Sequence, residues 1–169
     1  KCFKRVFLLD STEKFSVMTF DAIDKQIVHL LQNDAKQTTK EISNKTGLSV
    51  TAVYERIKRL ERDNVITKYV ALVDKSKVEK NFMVLCRIKL EKHSKAYLTT
   101  FETEVRKIDE VLECFNITGD YDYLLKILVK DMDAYREFMV TKLTTLEHIG
   151  STRSTFVMTS IKNSTQINL

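Results

Sequence analysis

The stretch "FNITGDYDYLLKILV", residues 115–129, holds two apolar runs that read as β-strands, joined by Gly119-Asp120-Tyr121-Asp122. Glycine and aspartate suit positive φ and close reversals, so the plain reading is a β-hairpin. Its neighbours give it a place in a larger unit. Upstream, Phe82, Val84, Cys86, Ile88 and Leu90 alternate as in a strand, and Leu98, Phe101, Val105 and Ile108 then recur at helical spacing. Downstream, Tyr135, Met139, Leu143 and Leu146 form a second helical stripe, and "TRSTFVMTSI" reads as a last strand. The order β-α-β-β-α-β is that of a ferredoxin-like α+β domain.

Two helices cover only one face of a four-stranded sheet. Yet Met83 and Leu85 alternate with Val84 and Cys86, and Leu124 and Leu128 alternate with Leu125 and Ile127, so both faces are apolar. A bare face of that kind is a larger apolar patch than monomers carry, which predicts that two sheets pack together in a dimer.

The first half follows a different pattern. Ile23, Ile27, Leu30 and Leu31 fall on one helical face, with Asp21 placed to favour the helix start. "TTKEISNKTG" is a shorter helix with Thr38 and Glu41 as a capping box and Gly47 as its stop. Ser49 then caps a third helix, "SVTAVYERIKRLERDN", with Val53, Ile57 and Leu60 as its inner stripe. Gly47 permits a sharp reversal, Leu48 plugs the junction, and the next helix starts without a linker: a helix-turn-helix. Such junctions also occur in proteins that never touch DNA. Charge separates the readings.

The chain has 169 residues and a net charge of +5, with 43% hydrophobic and 30% charged residues, a globular balance. Residues 1–17 carry 4 basic against 2 acidic side chains, residues 18–80 carry 12 against 9, and residues 81–169 carry 12 against 12. All the excess positive charge is N-terminal, which points to a polyanionic partner there. On the third helix Arg56, Lys58, Arg59 and Arg62 outnumber Glu55 and Glu61, and its first turn is small enough to enter a major groove. Double-stranded DNA is the expected partner. Ser49, Thr51 and Glu55 are the candidates nearest the bases, and Arg56, Lys58 and Arg59 those for phosphate contact.

"VITKYVALVD" reads as a strand or wing, followed by the charged linker "KSKVEKN". The expected division is an N-terminal extension over 1–17, a helix-turn-helix domain over 18–64, wing and linker over 65–80, and the ferredoxin-like domain over 81–169. Met18 can serve as a natural start, which would make 1–17 an added segment; a short N-terminal arm is the other reading. No apolar run reaches the roughly 18 residues that span a membrane. Cys2, Cys86 and Cys114 lack metal-ligand spacing and suggest reduced thiols, hence a cytoplasmic protein.

Four ordered blocks, "DAIDKQIVHLLQNDAK", "TGLSVTAVYERIKRLERDNVI", "TGDYDYLLKI" and "STRSTFVMTSIK", make residues 20 to 166 resemble the Lrp/AsnC, or feast/famine, family of transcriptional regulators. The resemblance implies a winged helix-turn-helix joined to an effector-binding domain, dimers built through the sheets, assembly into octamers, and an amino-acid effector bound between dimers. Carried onto this chain, the effector site would comprise Gly119, Asp120, Tyr121 and Asp122, with Thr152 and Ser154 of the last strand facing it from the same or an adjoining subunit. The chemistry suits an amino acid. Asp122 can take the ammonium through a charge-assisted bond, while turn amides and the two hydroxyls can hold the carboxylate. Their ordinary alternatives are a turn aspartate bonding its own backbone and a solvent-facing strand edge.

Three departures from the family pattern stand out. Asn64 occupies a position usually held by Gly, Glu79-Lys80-Asn81 replaces a Leu-Gly, and the segment before Met18 has no counterpart. An enzyme is not expected, and neither is a cofactor or metal: His29, His93 and His148 are scattered, there is no glycine-rich phosphate loop, and Asp120 and Asp122 lack a companion nucleophile. The other function compatible with the same basic helix is a ligand-independent architectural DNA-binding protein.

Overall fold

Asp21 and Thr38 set the frame of the N-terminal half by starting two helices in the same way. In the computed structural model, which describes residues 20–169, Asp21 accepts from the Asp24 amide and Asp24 returns the bond to the Asp21 amide, opening α1 (Ala22–Asn33). Thr38 and Glu41 make the same reciprocal box at α2 (Thr39–Thr46), which ends at Gly47 with φ +73°. Both capping carboxylates, Asp21 and Glu41, are held below the ordinary carboxylate range, chiefly by the backbone N–H groups they accept from. A depressed pKa stabilises above the unfolded value and is lost as pH falls through the folded one. A helical CD signal steady at neutral pH and declining on the acid side of that window is therefore expected.

Ser49 caps α3 (Val50–Arg62) by accepting from the Ala52 amide at 3.2 Å. Ile27, Val28, Ile42, Val53 and Leu60 form the buried centre of the three helices, with Leu48 packed against it as the junction plug. Ser49→Ala removes one cap and should lower the stability of this unit by about 1 kcal/mol, measurable by urea denaturation.

After α3 the chain reverses through Asn64, whose φ of +55° is the left-handed geometry for which asparagine is the next best residue after glycine. The expected strand over 65–74 is not formed. Tyr69, Val70, Leu72 and Val73 are exposed and belong to no strand, because alternation produces a strand only where another backbone supplies the ladder. A short 3-10 turn over Lys75–Val78 follows, closed by Glu79 at φ +53°. The departure at the linker thus places a non-glycine residue in a left-handed conformation.

The second half folds as β1 (Phe82–Leu90), α4 (Lys95–Val105), β2 (Val111–Asn116), β3 (Tyr123–Val129), α5 (Met132–Phe138), a π-helical turn over Met139–Leu143, and β4 (Ile149–Phe156). The sheet order is β2-β3-β1-β4, antiparallel throughout, as a ferredoxin-like fold requires. Alternation assigns the faces. Val84, Cys86, Ile88 and Leu90 of β1 and Tyr123, Leu125, Ile127 and Val129 of β3 are buried with Phe101, Val105, Tyr135 and Phe138 of the helices. On the opposite face Met83, Leu85, Leu124 and Leu128 remain partly exposed and Phe115 is exposed.

The chain divides into two compact units, one running to Val70 and including Ser164–Leu169, the other Ala71–Asn163. The last residues, expected with the ferredoxin-like domain, pack in the first unit, where the Gln32 side chain bonds both the N–H and the C=O of Ile167. The expected extension over 1–17 lies outside the described residues.

Candidate functional site

The exposed stripe of α3 is Thr51, Tyr54, Glu55, Lys58 and Arg62, spaced as one helical face, and Ser49 and Val50 are exposed at its N-terminal end. The residues expected nearest the bases, Ser49, Thr51 and Glu55, therefore lie on the open side, with the Ser49 hydroxyl oxygen also serving as cap. Lys58 lies there too, 2.8 Å from Glu61 and 5.8 Å from the centre of the Tyr54 ring.

Arg56 and Arg59 are placed differently. The Arg56 guanidinium lies 2.7 Å from Asp21 and 2.8 Å from Asp24, and Arg59 meets the other oxygen of Asp24 at 2.5 Å. Asp24 is fully buried. These two arginines, expected at phosphates, thus lean into the α1–α3 junction, where a buried carboxylate needs cations. Hydrogen bonds donated by Arg56 to Asp21 and Asp24 stabilise its charged form further. Spacing missed Tyr54 and Arg62, which the helical period places on the stripe of Thr51 and Lys58. A signal for the Asp24 contact was present as well: Asp24 falls at the i, i+3, i+4, i+7 spacing of Ile27, Val28 and Leu31, so a carboxylate interrupts an apolar face.

In the second unit the loop between β2 and β3 is built around Asp122. Its amide donates to Ile88 C=O at 2.8 Å, and its own C=O accepts from Ile117 N–H and from the Asn116 side chain. Its carboxylate accepts from the Leu90 amide at 2.7 Å through one oxygen, while the other lies 3.1 Å from Nδ1 of the exposed His93. Asp122 is therefore a buried pin as well as a candidate ligand group. Gly119, at φ +115° with open space around it, lets the loop turn outward, leaving Asp120 exposed and Tyr121 half-buried.

Thr152 and Ser154 lie on β4, opposite Ile88 and Cys86 of β1, on the helix-covered face. The Ser154 hydroxyl bonds the Tyr135 hydroxyl at 2.5 Å, and burial raises Tyr135 to about 12. Because β1 intervenes, Thr152 and the Asp122 loop stand about two strand spacings, ~10 Å, apart. Thr152 and Ser154 thus stand apart from the Gly119–Asp122 loop in the sheet. A cavity of about 490 Å³ opens between α4 and β2, lined by Glu102, Arg106, Cys114, Asn116 and Tyr123, but it contains none of the expected effector residues.

Residues 20–61 match the AsnC-type helix-turn-helix domain, and residues 83–167 match the Lrp/AsnC ligand-binding domain. The chain belongs to the Lrp/AsnC family. It is 37% identical over 147 residues to the leucine-responsive regulatory protein of Escherichia coli, covering 87% of this chain and 90% of that one. A Neisseria meningitidis transcriptional regulator solved with L-methionine superposes with a TM-score of 0.84 at 32% identity, over 88% and 96% of the two chains. The Mycobacterium tuberculosis feast or famine regulatory protein, also solved with L-methionine, superposes with a TM-score of 0.79 at 25% identity, over 89% and 99%. As an Lrp/AsnC regulator this chain pairs a DNA-binding helix-turn-helix with a ligand-binding domain. A further relative, the Bkd operon transcriptional regulator of Pseudomonas aeruginosa, is 33% identical over 141 residues. Among the described residues no helix is long and apolar enough to cross a membrane.

Proposed function

We propose that this Lrp/AsnC regulator reads duplex DNA with the first turns of α3 and changes its assembly and DNA affinity when a free amino acid binds at the 119–122 loop. Ser49, Thr51 and Glu55 lie toward the bases and Lys58 toward a phosphate. The effector ammonium is taken by the Asp122 oxygen beside His93, and its carboxylate by loop amides around Gly119 and Asp120. Thr152 and Ser154 complete the site from an adjoining subunit. The observation that carries this reading is the outward loop of polar groups, with Asp120 exposed and Tyr121 half-buried, pinned by buried Asp122.

The open sheet face supports a dimer, since Met83 beside Leu128, and Leu85 and Leu124, lie partly exposed on it, interleaved with Arg87 and Lys126. A dimer or a larger assembly is expected in sedimentation at micromolar concentration, and a monomer would remove the interface from the scheme. L-methionine is the first effector to try, because two relatives were solved with it. In a thermal-shift screen of the twenty amino acids, the effector should raise the melting temperature by mass action, equivalent to about 2.7 kcal/mol at a hundredfold excess over its Kd. A flat response to all twenty would favour the ligand-independent architectural role.

A further inference from the structure

Each cation of α3 has an acidic partner, but the partners differ in kind. Lys58 with Glu61 and Arg62 with Asp63 are surface pairs whose basic side chains are 51% and 72% exposed. Such pairs are worth little and open readily when a phosphate competes. Arg56 and Arg59 instead share Asp24, which is 0% exposed and uses both carboxylate oxygens on them. Drawing either guanidinium outward would strip charge from a carboxylate that water cannot reach. The Arg59 Nε is buried without a partner among the described residues, while the side chain as a whole is 36% exposed, so its inner end is the part held against α1.

We propose that Asp24 is a positioning residue that withholds Arg56 and Arg59 from DNA phosphates, lowering the sequence-independent affinity of the head and leaving discrimination to the exposed stripe of α3. Phosphate neutralisation is the sequence-blind part of DNA binding, and its strength appears in the salt dependence. Two strong cations on the recognition helix would raise affinity for every duplex alike. Turned onto Asp24, they fix α3 against α1 and contribute little to that background.

The test is a salt series on the full-length chain with a random-sequence duplex, comparing the slope of log K against log salt. Arg56→Gln and Arg59→Gln should keep the slope of the unaltered protein. Asp24→Asn should bind the random duplex more tightly, with a slope steeper by about 0.9 for each guanidinium released. A slope shallower by about 0.9 in either arginine variant would overturn the proposal, as would an Asp24→Asn slope no steeper than the original. Should Asp24→Asn fail to fold by CD, the two arginine variants decide alone. Lys58→Gln reports separately on the lysine: a change there bears on its proposed phosphate contact and leaves the Asp24 result standing.

Discussion

Asp24→Ala should destabilise the helix-turn-helix unit by about 3–5 kcal/mol, the usual cost of removing one partner of a buried ion pair. That is a large share of the ~5–15 kcal/mol that holds a domain together. The cost has three sources. The carboxylate fills space on the inner face of α1, accepts from two guanidiniums, and returns the capping bond to the Asp21 amide. Its loss leaves Arg59 partly buried without its countercharge and Arg56 with Asp21 alone. Urea melts followed at the helical CD band would measure the change, and a loss under 1 kcal/mol would show that the arginines relax to water at little cost. Asp24→Leu, which refills the volume, should recover part of the loss if cavity formation dominates and little of it if the stranded charges do.

The second large effect is expected at Asp122. Asp122→Ala should abolish the response to an amino acid and also cost about 1–3 kcal/mol, because the buried Leu90 amide loses its acceptor. The two consequences can be separated. Asp122→Asn keeps an oxygen for the Leu90 N–H but removes the charge that pairs with an ammonium. It should melt close to the unaltered protein while failing to shift when the amino acid is added. If Asp122→Asn responds normally, the ammonium is held elsewhere and Asp122 serves the loop alone.

What could be read from sequence was whatever neighbouring residues settle among themselves. An N-cap side chain bonds an amide only three positions on, so Asp21, Thr38 and Ser49 announced their helices. Strict alternation identified β1 and β3, and the order of elements identified the ferredoxin-like sheet. Where a distant backbone had to take part, local signals failed. Residues 65–74 have the composition of a strand, but no ladder partner among the described residues meets them. The pairing of Arg56 and Arg59 with Asp24 joins residues more than thirty positions apart, and basic residues on a DNA-binding helix read naturally as outward-facing. Asp122 is a mixed case. Its place on the loop was legible from the Gly-Asp-Tyr-Asp turn, whereas its bond to Leu90 depends on how β1 and β3 lie side by side. The separation of Thr152 and Ser154 from that loop follows from the sheet order, which linear spacing does not encode.

The most direct test of a DNA-reading head coupled to an effector loop is the affinity of the full-length chain for its cognate duplex, measured with and without the amino acid that most raises its melting temperature. The amino acid should change that affinity severalfold in the unaltered protein and leave it unchanged in Asp122→Asn. Equal affinities with and without ligand in the unaltered protein, at saturating amino acid, would contradict the coupling of the two sites.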